Sequence, residues 1–456
     1  MLEITRYIKK AGLYEKDLLE KNRRIIVFFI GKIFILSYLK ISLYYNENYS
    51  NKREMKMKIL VVAGYCLQVN SSANLCHISY IKGLLDGGHT VDLLTVSNKN
   101  QNIDTGIKIP KVRKLYTYNA SLYEQLGARK NAQHVQGTEA VTSDSANIHK
   151  KSFKSQIKEK VRKFYGTYGT DIIWYLHAKR WKSKETYDCV ISLAYPPVSH
   201  KLTETLLKSK HLMAKKWIQI WEDPWYADIF GLSHNDKVKK EERRLLSVSN
   251  SVYYVSPLTL LYQKKAFPEF SDKMKWQPLP SYYERKLTSI NFETLCLGYF
   301  GDYSPHIRNL QPFYNAAIKM GLNVNICGNS SSKFQSKKSV RVFPRMGLKE
   351  LEVYENKANI LVFLCNLKGG QIPGKIYQYA ATNKLVLFIL DGTNEEKDTL
   401  YKYFSAFNRF IFCDNNEKSI EQTILNLKNR KIEKSYVTPL LNFTPVSIIQ
   451  NILEGK

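Results

Sequence analysis

One stretch near residue 370 restricts the fold more than any other. An unbroken apolar run, Ile360–Leu364, has the composition of a buried parallel strand. A glycine-rich turn, residues 369–374, follows it, and a helical pattern then begins near Lys375. Because parallel strands need a crossover connection, usually a helix, the stretch predicts part of a parallel α/β sheet.

The same turn has the features of an anion site. Glycines let a ligand approach the backbone, and Pro373 fixes the start of the helix without losing a needed N–H donor. The helix N-terminus adds partial positive charge, and a lysine adds a full one. We therefore predict a phosphate or diphosphate site at Gly370, Gln371, Gly374 and Lys375. An ordinary β-to-α turn accounts for the glycines alone about equally well.

Similar apolar runs recur along the chain, with helical segments between them. They are found at residues 59–63, 91–96, 187–193, 217–221, 251–256, 295–300, 324–327, 340–343, 385–390 and 410–413. The run at 251–256 is predicted to be the last strand of the first half. A chain of 456 residues suits two domains of roughly 200 residues each. The fold class predicted is α/β, with two doubly wound, Rossmann-like domains.

The domain boundaries follow from shifts in composition. Residues 1–56 form an N-terminal extension, and 57–285 form the first Rossmann-like domain, which contains a polar insertion near 127–155. Residues 286–430 form the second domain, and 431–456 a C-terminal segment with a helix. Prolines and irregular sequence place the hinge between about residues 278 and 292.

The N-terminal extension contains the most hydrophobic segment, Ile25–Leu39. It approaches the length of a membrane span, but Lys32 and Lys40 interrupt it and would be costly at the bilayer centre. Three interpretations of the extension remain open: a basic interfacial helix on an anionic inner leaflet, a membrane span, and an upstream extension from a misassigned start codon. A signal peptide is not predicted, because a small-residue cleavage site is not evident.

The net charge of +29 predicts attraction to phosphates, anionic lipid or nucleic acid. Zinc-ligand spacing, helix-turn-helix cues and RNA-binding aromatic signatures are missing, so no specific nucleic-acid partner is predicted. The seven cysteines are scattered and odd in number, which is typical of reduced core residues in a cytosolic protein.

Particular segments resemble a known family. Residues 372–379, Ile-Pro-Gly-Lys-Ile-Tyr-Gln-Tyr, followed by Asn-Lys-Leu-Val at 383–386, resemble the donor-site helix of family 4 (group 1) glycosyltransferases. These are GT-B enzymes that use nucleotide sugars, and many build bacterial surface polysaccharides. The strand start at 57–65, the paired prolines at 196–197 and the strand that ends in Asp-Pro-Trp at 223–225 also resemble the family. The resemblance covers residues 57–456.

The resemblance implies how a donor would be held. The first loop of the second domain would cross the donor phosphates, with Arg308 binding them and Gly301 letting the backbone approach. The family often carries two glutamates here, whose positions Gly370 and Gln378 occupy, so both carboxylates are missing. Gln378 and Asp302 are assigned to the donor sugar or ribose.

In the first half, Asp223 comes directly after a strand, at the carboxyl edge where open α/β sheets place ligands. We predict that Asp223 binds the acceptor hydroxyl or acts near the reacting oxygen, and that His200 donates a hydrogen bond there. Capping of a loop or helix is the alternative for each. The acceptor cleft is assigned to Ser72, Pro197, Ser199 and Trp225.

The function implied is transfer of a sugar, with retention, from a nucleoside diphosphate sugar to a hydroxyl of a saccharide. The acceptor would be lipid-linked, in capsule, exopolysaccharide or O-antigen biosynthesis. No Asp-x-Asp motif occurs, so neither a metal nor a cofactor is implied, and basic groups would stabilise the leaving nucleoside diphosphate. The enzyme would be cytoplasmic, at the inner face of the membrane, and its C-terminal helix would cross to the first domain. A GT-B nucleotide-sugar epimerase and a noncatalytic basic protein that binds membrane or nucleic acid remain as alternatives.

Overall fold

The computed structural model describes residues 56–99, 101–120, 166–228, 235–281, 295–331, 334–429 and 433–456. The predicted apolar segment at 25–39, the polar insertion near 127–155 and most of the predicted hinge lie outside the described residues. Residues 57–456 form one compact unit. The described part contains two parallel sheets with helices packed on them.

The first sheet has seven parallel strands in the order β3-β2-β1-β4-β5-β6-β7. Val61 of β1 lies opposite Ile191 of β4, which fixes the register at the centre of the sheet. The strands are β1 Lys58–Ala63, β2 Thr90–Val96, β3 Lys114–Tyr118, β4 Thr186–Ala194, β5 Met213–Trp221, β6 Ser251–Tyr254 and β7 Met274–Trp276. The helices are α1 Ser72–Asp86, α2 Ile172–Ala178, α3 Val198–Lys208, α4 Asp236–Val248 and α5 Pro257–Ala266.

The second sheet has six parallel strands in the order β10-β9-β8-β11-β12-β13. They are β8 Cys296–Phe300, β9 Asn323–Cys327, β10 Val340–Phe343, β11 Ile360–Leu364, β12 Leu385–Leu390 and β13 Ile411–Asp414. The helices are α6 Gln311–Lys319, α7 Leu348–Lys357, α8 Lys375–Ala380, α9 Asn394–Ser405, α10 Glu417–Asn429 and α11 Pro445–Glu454.

The predicted fold class of two Rossmann-like domains is confirmed. Two edge strands, β3 and β7, have no counterpart in the sequence prediction, so the interpretation of residues 251–256 as the last strand of the first half was wrong. The reason is physical: β3 alternates exposed polar and half-buried residues, and β7 has only three residues. Edge strands need no continuous apolar run, which was the signal used.

The order of the strands decides where a ligand can bind. In each sheet the connections reverse direction at the centre, between β1 and β4 and between β8 and β11. The loops at the carboxyl ends of these strands diverge to opposite faces and leave a crevice. Residues 64–72 follow β1, residues 301–310 follow β8, and residues 365–374 follow β11.

The C-terminal helix α11 packs against α1 and β6 of the first half. The hydroxyl of Tyr253 donates to the Ile452 carbonyl at 3.2 Å. A Cβ atom built on Gly83 of α1 would lie 2.3 Å from the carbonyl oxygen of Pro445, so only glycine allows this approach. The second half is therefore tied to the first by its own last helix.

We expect Gly83→Ala to lower the free energy of unfolding by about 1–3 kcal/mol, because the new methyl group overpacks against a backbone carbonyl. This would outweigh the gain of about 1 kcal/mol that alanine brings inside a helix. Gly347→Ala is the control, since its Cβ meets open space, and it should change stability by less than about 1 kcal/mol. Urea denaturation measures both, and equal effects would contradict the packing argument.

Candidate functional site

A cavity of about 350 Å³ lies where the crevices of the two sheets meet. From the first half it is bordered by the loop after β1 and the start of α1, where Ser71 caps the helix by accepting from the Asn74 N–H at 3.2 Å. From the second half it is bordered by the loops after β8, β9 and β10 and by the start of α8. Its lining includes seven residues predicted from the sequence: Ser72, Gly301, Asp302, Arg308, Gly374, Lys375 and Gln378.

Three cations line the cavity on the side of the second half, and each is held by a neighbour. Arg308 donates from Nη1 to the Asp302 carbonyl at 2.9 Å. The Nη1 of Arg345 lies 3.1 Å from the Asp302 carboxylate, and Lys375 Nζ lies 3.0 Å from Glu355 Oε1. The buried carboxylate of Glu355 therefore offsets part of the positive charge that Lys375 brings to the cavity, and binding of phosphate by Lys375 stays a prediction.

The helix at the predicted anion site is short. Helix α8 has six residues, and its N-cap Gly374 makes no side-chain capping bond. Because so few peptide dipoles align, its N-terminus contributes less positive potential than that of a longer helix. The positive charge facing the cavity therefore comes mainly from Arg308 and Arg345.

Arg345 and Glu355 were missing from the sequence prediction. Arg345 follows β10 by two residues, at a strand carboxyl end, so the signal used for Asp223 would also have found it. Glu355 lies within α7 and carries no such signal, because its role comes only from the packing of α7 beside α8.

Glycines bring the cavity walls together. A Cβ on Gly328 would lie 2.0 Å from the Gly301 carbonyl oxygen, so the loops after β8 and β9 touch only because residue 328 is glycine. A Cβ on Gly374 would lie 3.3 Å from Leu279 and 3.6 Å from Ser72 Oγ, both from the first half. A Cβ on Gly301 would meet no atom closer than 3.8 Å, and the predicted approach of a ligand to Gly301 and Gly374 stays a prediction.

Gly370 and Gln371 were predicted to bind phosphate, but in the structure both residues contact the first half. A Cβ on Gly370 would lie 2.6 Å from the Thr259 nitrogen of α5, and the Gly370 carbonyl accepts from Thr259 Oγ1 at 2.9 Å. The side-chain amide of Gln371 donates to the carboxylate of Asp223. Gly369, just before these two residues, has a left-handed backbone conformation (φ 86°). Both assignments to the phosphates are therefore corrected to contacts between the halves.

Asp223 lies two residues beyond the end of β5, at the carboxyl edge of the sheet as predicted, and its side chain is exposed, but it is not among the residues that border the cavity of about 350 Å³. Desolvation by the surrounding protein, together with the negative charges of Glu222 and Asp228, raises the pKa of this carboxyl group to about 6. The hydrogen bond from Gln371 opposes this rise. Near neutral pH, Asp223 is therefore an accessible carboxylate that gains a proton readily.

His200 does not fit its predicted catalytic role, because it is fully buried. Its Nδ1 lies 2.7 Å from Ser192 Oγ, and its ring centroid lies 4.4 Å from that of Trp221. Burial lowers the pKa of His200 to about 3, so the ring is neutral and faces protein on all sides. The first turn of α3 rotates it towards the sheet instead of the cleft.

The other predicted acceptor residues also have structural contacts. Ser199 is buried and does not cap α3, since its hydroxyl donates to the carbonyls of Leu193 and Pro196. Pro197 is half-buried at the N-cap position, and the Trp225 ring lies 4.9 Å from that of Tyr168. Only Ser72 of the four assigned acceptor residues borders the cavity.

Within the described ranges, no three His, Cys, Asp or Glu side chains are placed to hold a metal ion. Over the same ranges, no helix is long and apolar enough to span a bilayer. All seven cysteines are buried, and none of them forms a disulfide.

Comparison with known proteins bears on the fold. No family model and no curated protein matches the chain. The crystal structure of TarM has 11% sequence identity and a TM-score of 0.52, covering 89% of this chain and 99% of that one. Arabidopsis thaliana UGT89C1 complexed with UDP-L-rhamnose has 9% identity and a TM-score of 0.47, over 88% and 95%. UDP-GlcNAc 2-epimerase from Neisseria meningitidis bound to UDP-GlcNAc has 10% identity and 0.41, over 87% and 99%. The chain has the two-domain GT-B fold.

Proposed function

We propose that the protein transfers a sugar from a nucleoside diphosphate sugar to a hydroxyl group of an acceptor. The observation that carries the proposal is the cavity at the joint crevice of the two sheets, with Arg308 and Arg345 on one wall. Its volume of about 350 Å³ falls in the range of small-ligand sites. The GT-B fold agrees with a reaction between two ligands that approach from different halves.

The chemistry of the walls favours a nucleoside diphosphate. The guanidinium groups of Arg308 and Arg345 are suited to bind phosphate oxygens, and both are already oriented by Asp302. Met346, Leu348 and Leu351 supply an apolar wall next to them, which suits the face of a nucleobase. Charge that develops on the leaving diphosphate would be stabilised by the same arginines.

Asp223 is the proposed reacting carboxylate on the acceptor side. It accepts a hydrogen bond from the acceptor hydroxyl and takes its proton as the acceptor oxygen bonds to the anomeric carbon and the bond from that carbon to the diphosphate breaks. Attack on the same face that the diphosphate leaves would retain the configuration. A pKa of about 6 keeps it ionised at neutral pH while leaving it basic enough for this step. Gln371 donates a hydrogen bond to Asp223 in the structure. When the acceptor hydroxyl binds, Asp223 would have to accept from both groups, or the bond from Gln371 would have to break.

The finer part of the proposal concerns the acceptor and the location. We propose a saccharide acceptor, lipid-linked, in capsule, exopolysaccharide or O-antigen biosynthesis, and retention of the sugar stereochemistry. The family resemblance of residues 372–386 supports this, and the net charge of +29 supports a position on the inner, anionic face of the membrane.

Calorimetric titration of the full chain with UDP, GDP and ADP tests the donor site. We expect one of them to bind, and Arg308→Ala to weaken that binding by about 10-fold or more, because a charge-assisted hydrogen bond is lost. Arg345→Ala should act in the same direction. Arg341→Ala is the control, since this exposed arginine on β10 donates to Asn323 and does not border the cavity.

Failure of all three nucleotides to bind would contradict the proposed function. Equal loss in Arg341→Ala would show that the effect is only electrostatic and nonspecific. An epimerase of the same fold would consume the nucleotide sugar without an acceptor. Release of nucleoside diphosphate that depends on an added saccharide therefore distinguishes the two reactions.

A further inference from the structure

Four residues are linked by three hydrogen bonds from the cavity to Asp223, and the series passes through the main-chain carbonyl and then the side-chain amide of Gln371. Arg308 donates from Nε to Asn366 Oδ1 at 2.9 Å, and Asn366 Nδ2 donates to the Gln371 carbonyl at 2.9 Å. Gln371 in turn donates from its side-chain amide to Asp223. We call this series, Arg308, Asn366, Gln371 and Asp223, the cross-cleft chain. It joins Arg308, the residue of the second half that is proposed to bind the diphosphate, to Asp223, the proposed reacting carboxylate of the first half.

The chemistry of the neighbours fixes the orientation of Asn366. An arginine Nε–H can only donate, so it must face the carboxamide oxygen, and a main-chain carbonyl can only accept, so it must face the NH₂ group. Aspartate at this position would place a second acceptor against the Gln371 carbonyl, and leucine would satisfy neither partner. Asparagine is the residue that meets both demands with this length.

Asn366 is buried in a segment that contacts both the loop of Arg308 and the first half of the protein. It has 8% of its surface exposed. The next residue, Leu367, donates from its backbone to the Ile307 carbonyl at 2.7 Å, which ties the loop after β11 to the loop that carries Arg308. Gly370, three positions beyond Leu367, is held by a hydrogen bond from Thr259 of the first half. Movement at Arg308 is therefore passed to Gln371 through a short and packed segment.

We propose that Asn366 is a positioning residue that couples the occupancy of the diphosphate site at Arg308 to the placement of Asp223. The proposal rests on the proposed function for the identity of the ligand at Arg308. When the chain is intact, Arg308 is held towards the cavity and Gln371 is held towards Asp223. A ligand on Arg308 then stabilises the arrangement around Asp223, and a change at Asp223 alters the affinity at Arg308 by the same factor.

A double-mutant cycle on the full chain tests the coupling. The probe is whichever of UDP, GDP or ADP the wild type binds, and the variants are Asp223→Asn, Asn366→Ala and both together. We expect Asp223→Asn to weaken nucleotide binding about three- to tenfold in the wild-type background, because the hydrogen bond from Gln371 changes from a charge-assisted bond to a weaker neutral one. In the Asn366→Ala background it should change the affinity by less than about twofold, because the link is already broken.

Asn415→Ala is the matched control. Asn415 also follows a strand end, and its side-chain amide donates to the Asn309 carbonyl beside Arg308 and to the Asp391 carboxylate. Neither of these hydrogen bonds reaches the loop at 369–374. In its background the effect of Asp223→Asn should stay at three- to tenfold. Additive effects of Asp223→Asn and Asn366→Ala would overturn the proposal.

A second measurement separates this proposal from the proposed function. The carboxyl ¹³C resonance of Asp223, assigned by its loss in Asp223→Asn, reports its titration without any nucleotide. The donated hydrogen bond from Gln371 lowers the pKa of Asp223, so Asn366→Ala should raise that pKa, while Glu222 and Asp228 act equally in both proteins. A higher pKa of Asp223 in Asn366→Ala supports the cross-cleft chain even if no nucleotide binds. An unchanged pKa overturns the proposal even if a nucleotide does bind.

Discussion

Replacing Asp223 by asparagine is expected to lower turnover in the proposed sugar transfer by about 10²–10⁴-fold, the usual contribution of a positioned general base. The asparagine keeps the shape of the side chain but cannot accept a proton. In the wild type, activity should rise with pH through about 6, where the carboxyl group loses its proton. Turnover measured against pH, with saturating donor, gives both results.

The same substitution should leave the fold at least as stable at pH 7. The folded-state pKa of Asp223, about 6, lies above its ordinary value of 3.8, so the folded protein binds this proton more tightly than the unfolded chain. The wild type therefore loses stability from this group as pH rises from about 4 to 6, and Asp223→Asn does not. A lower unfolding temperature at pH 7 would instead mean that the loss of turnover is structural.

Asp228→Asn is the control for the pH profile. The negative charge of Asp228 raises the pKa of Asp223, so its removal should move the rise in activity to lower pH. The maximal rate should stay close to that of the wild type, because Asp228 is not a proposed reacting group. An unshifted profile would show that another group controls the rise near pH 6.

Arg409→Met is expected to lower the free energy of unfolding by about 3–5 kcal/mol. Arg409 is fully buried, and burial lowers its pKa to about 10, so it remains charged at neutral pH. It donates to the carbonyls of Lys384 at 2.6 Å and Thr382 at 2.7 Å, and also to those of Tyr379 and Tyr436. Methionine would leave several of these carbonyls unpaired, and each unpaired buried group costs about 1–3 kcal/mol.

This arginine also connects elements of the second half. The carbonyls of Tyr379 and Thr382 belong to the end of α8 and the turn after it, and that of Tyr436 belongs to the C-terminal segment. Urea denaturation measures the loss, and Arg341→Met on exposed β10 should change stability by less than about 0.5 kcal/mol. A small effect of Arg409→Met would mean that water replaces the guanidinium at these carbonyls.

Local sequence was sufficient to predict the central strands and their order along the chain, although not the edge strands β3 and β7. The apolar runs at 360–364 and 385–390 coincide with β11 and β12, because strands buried on both faces require continuous apolar side chains. The placement of Asp223 at a strand end was equally readable, since parallel strands all present their carboxyl ends at one edge. Arg308 and Gly301, which line the cavity, were assigned from the family resemblance.

The contacts that give these residues their chemistry could not be predicted, because they join segments that are distant along the chain. The bond between Gln371 and Asp223 spans 148 positions, and the pairing of Lys375 with Glu355 depends on how two helices pack. His200 has the residue type of a proton donor, yet the rotation of its helix buries it. The sequence by itself determined the two sheets and the edge at which a ligand binds, since periodicity is a local property. Only the tertiary structure decided which side chains meet there and with what charge, since contact and desolvation depend on the whole fold.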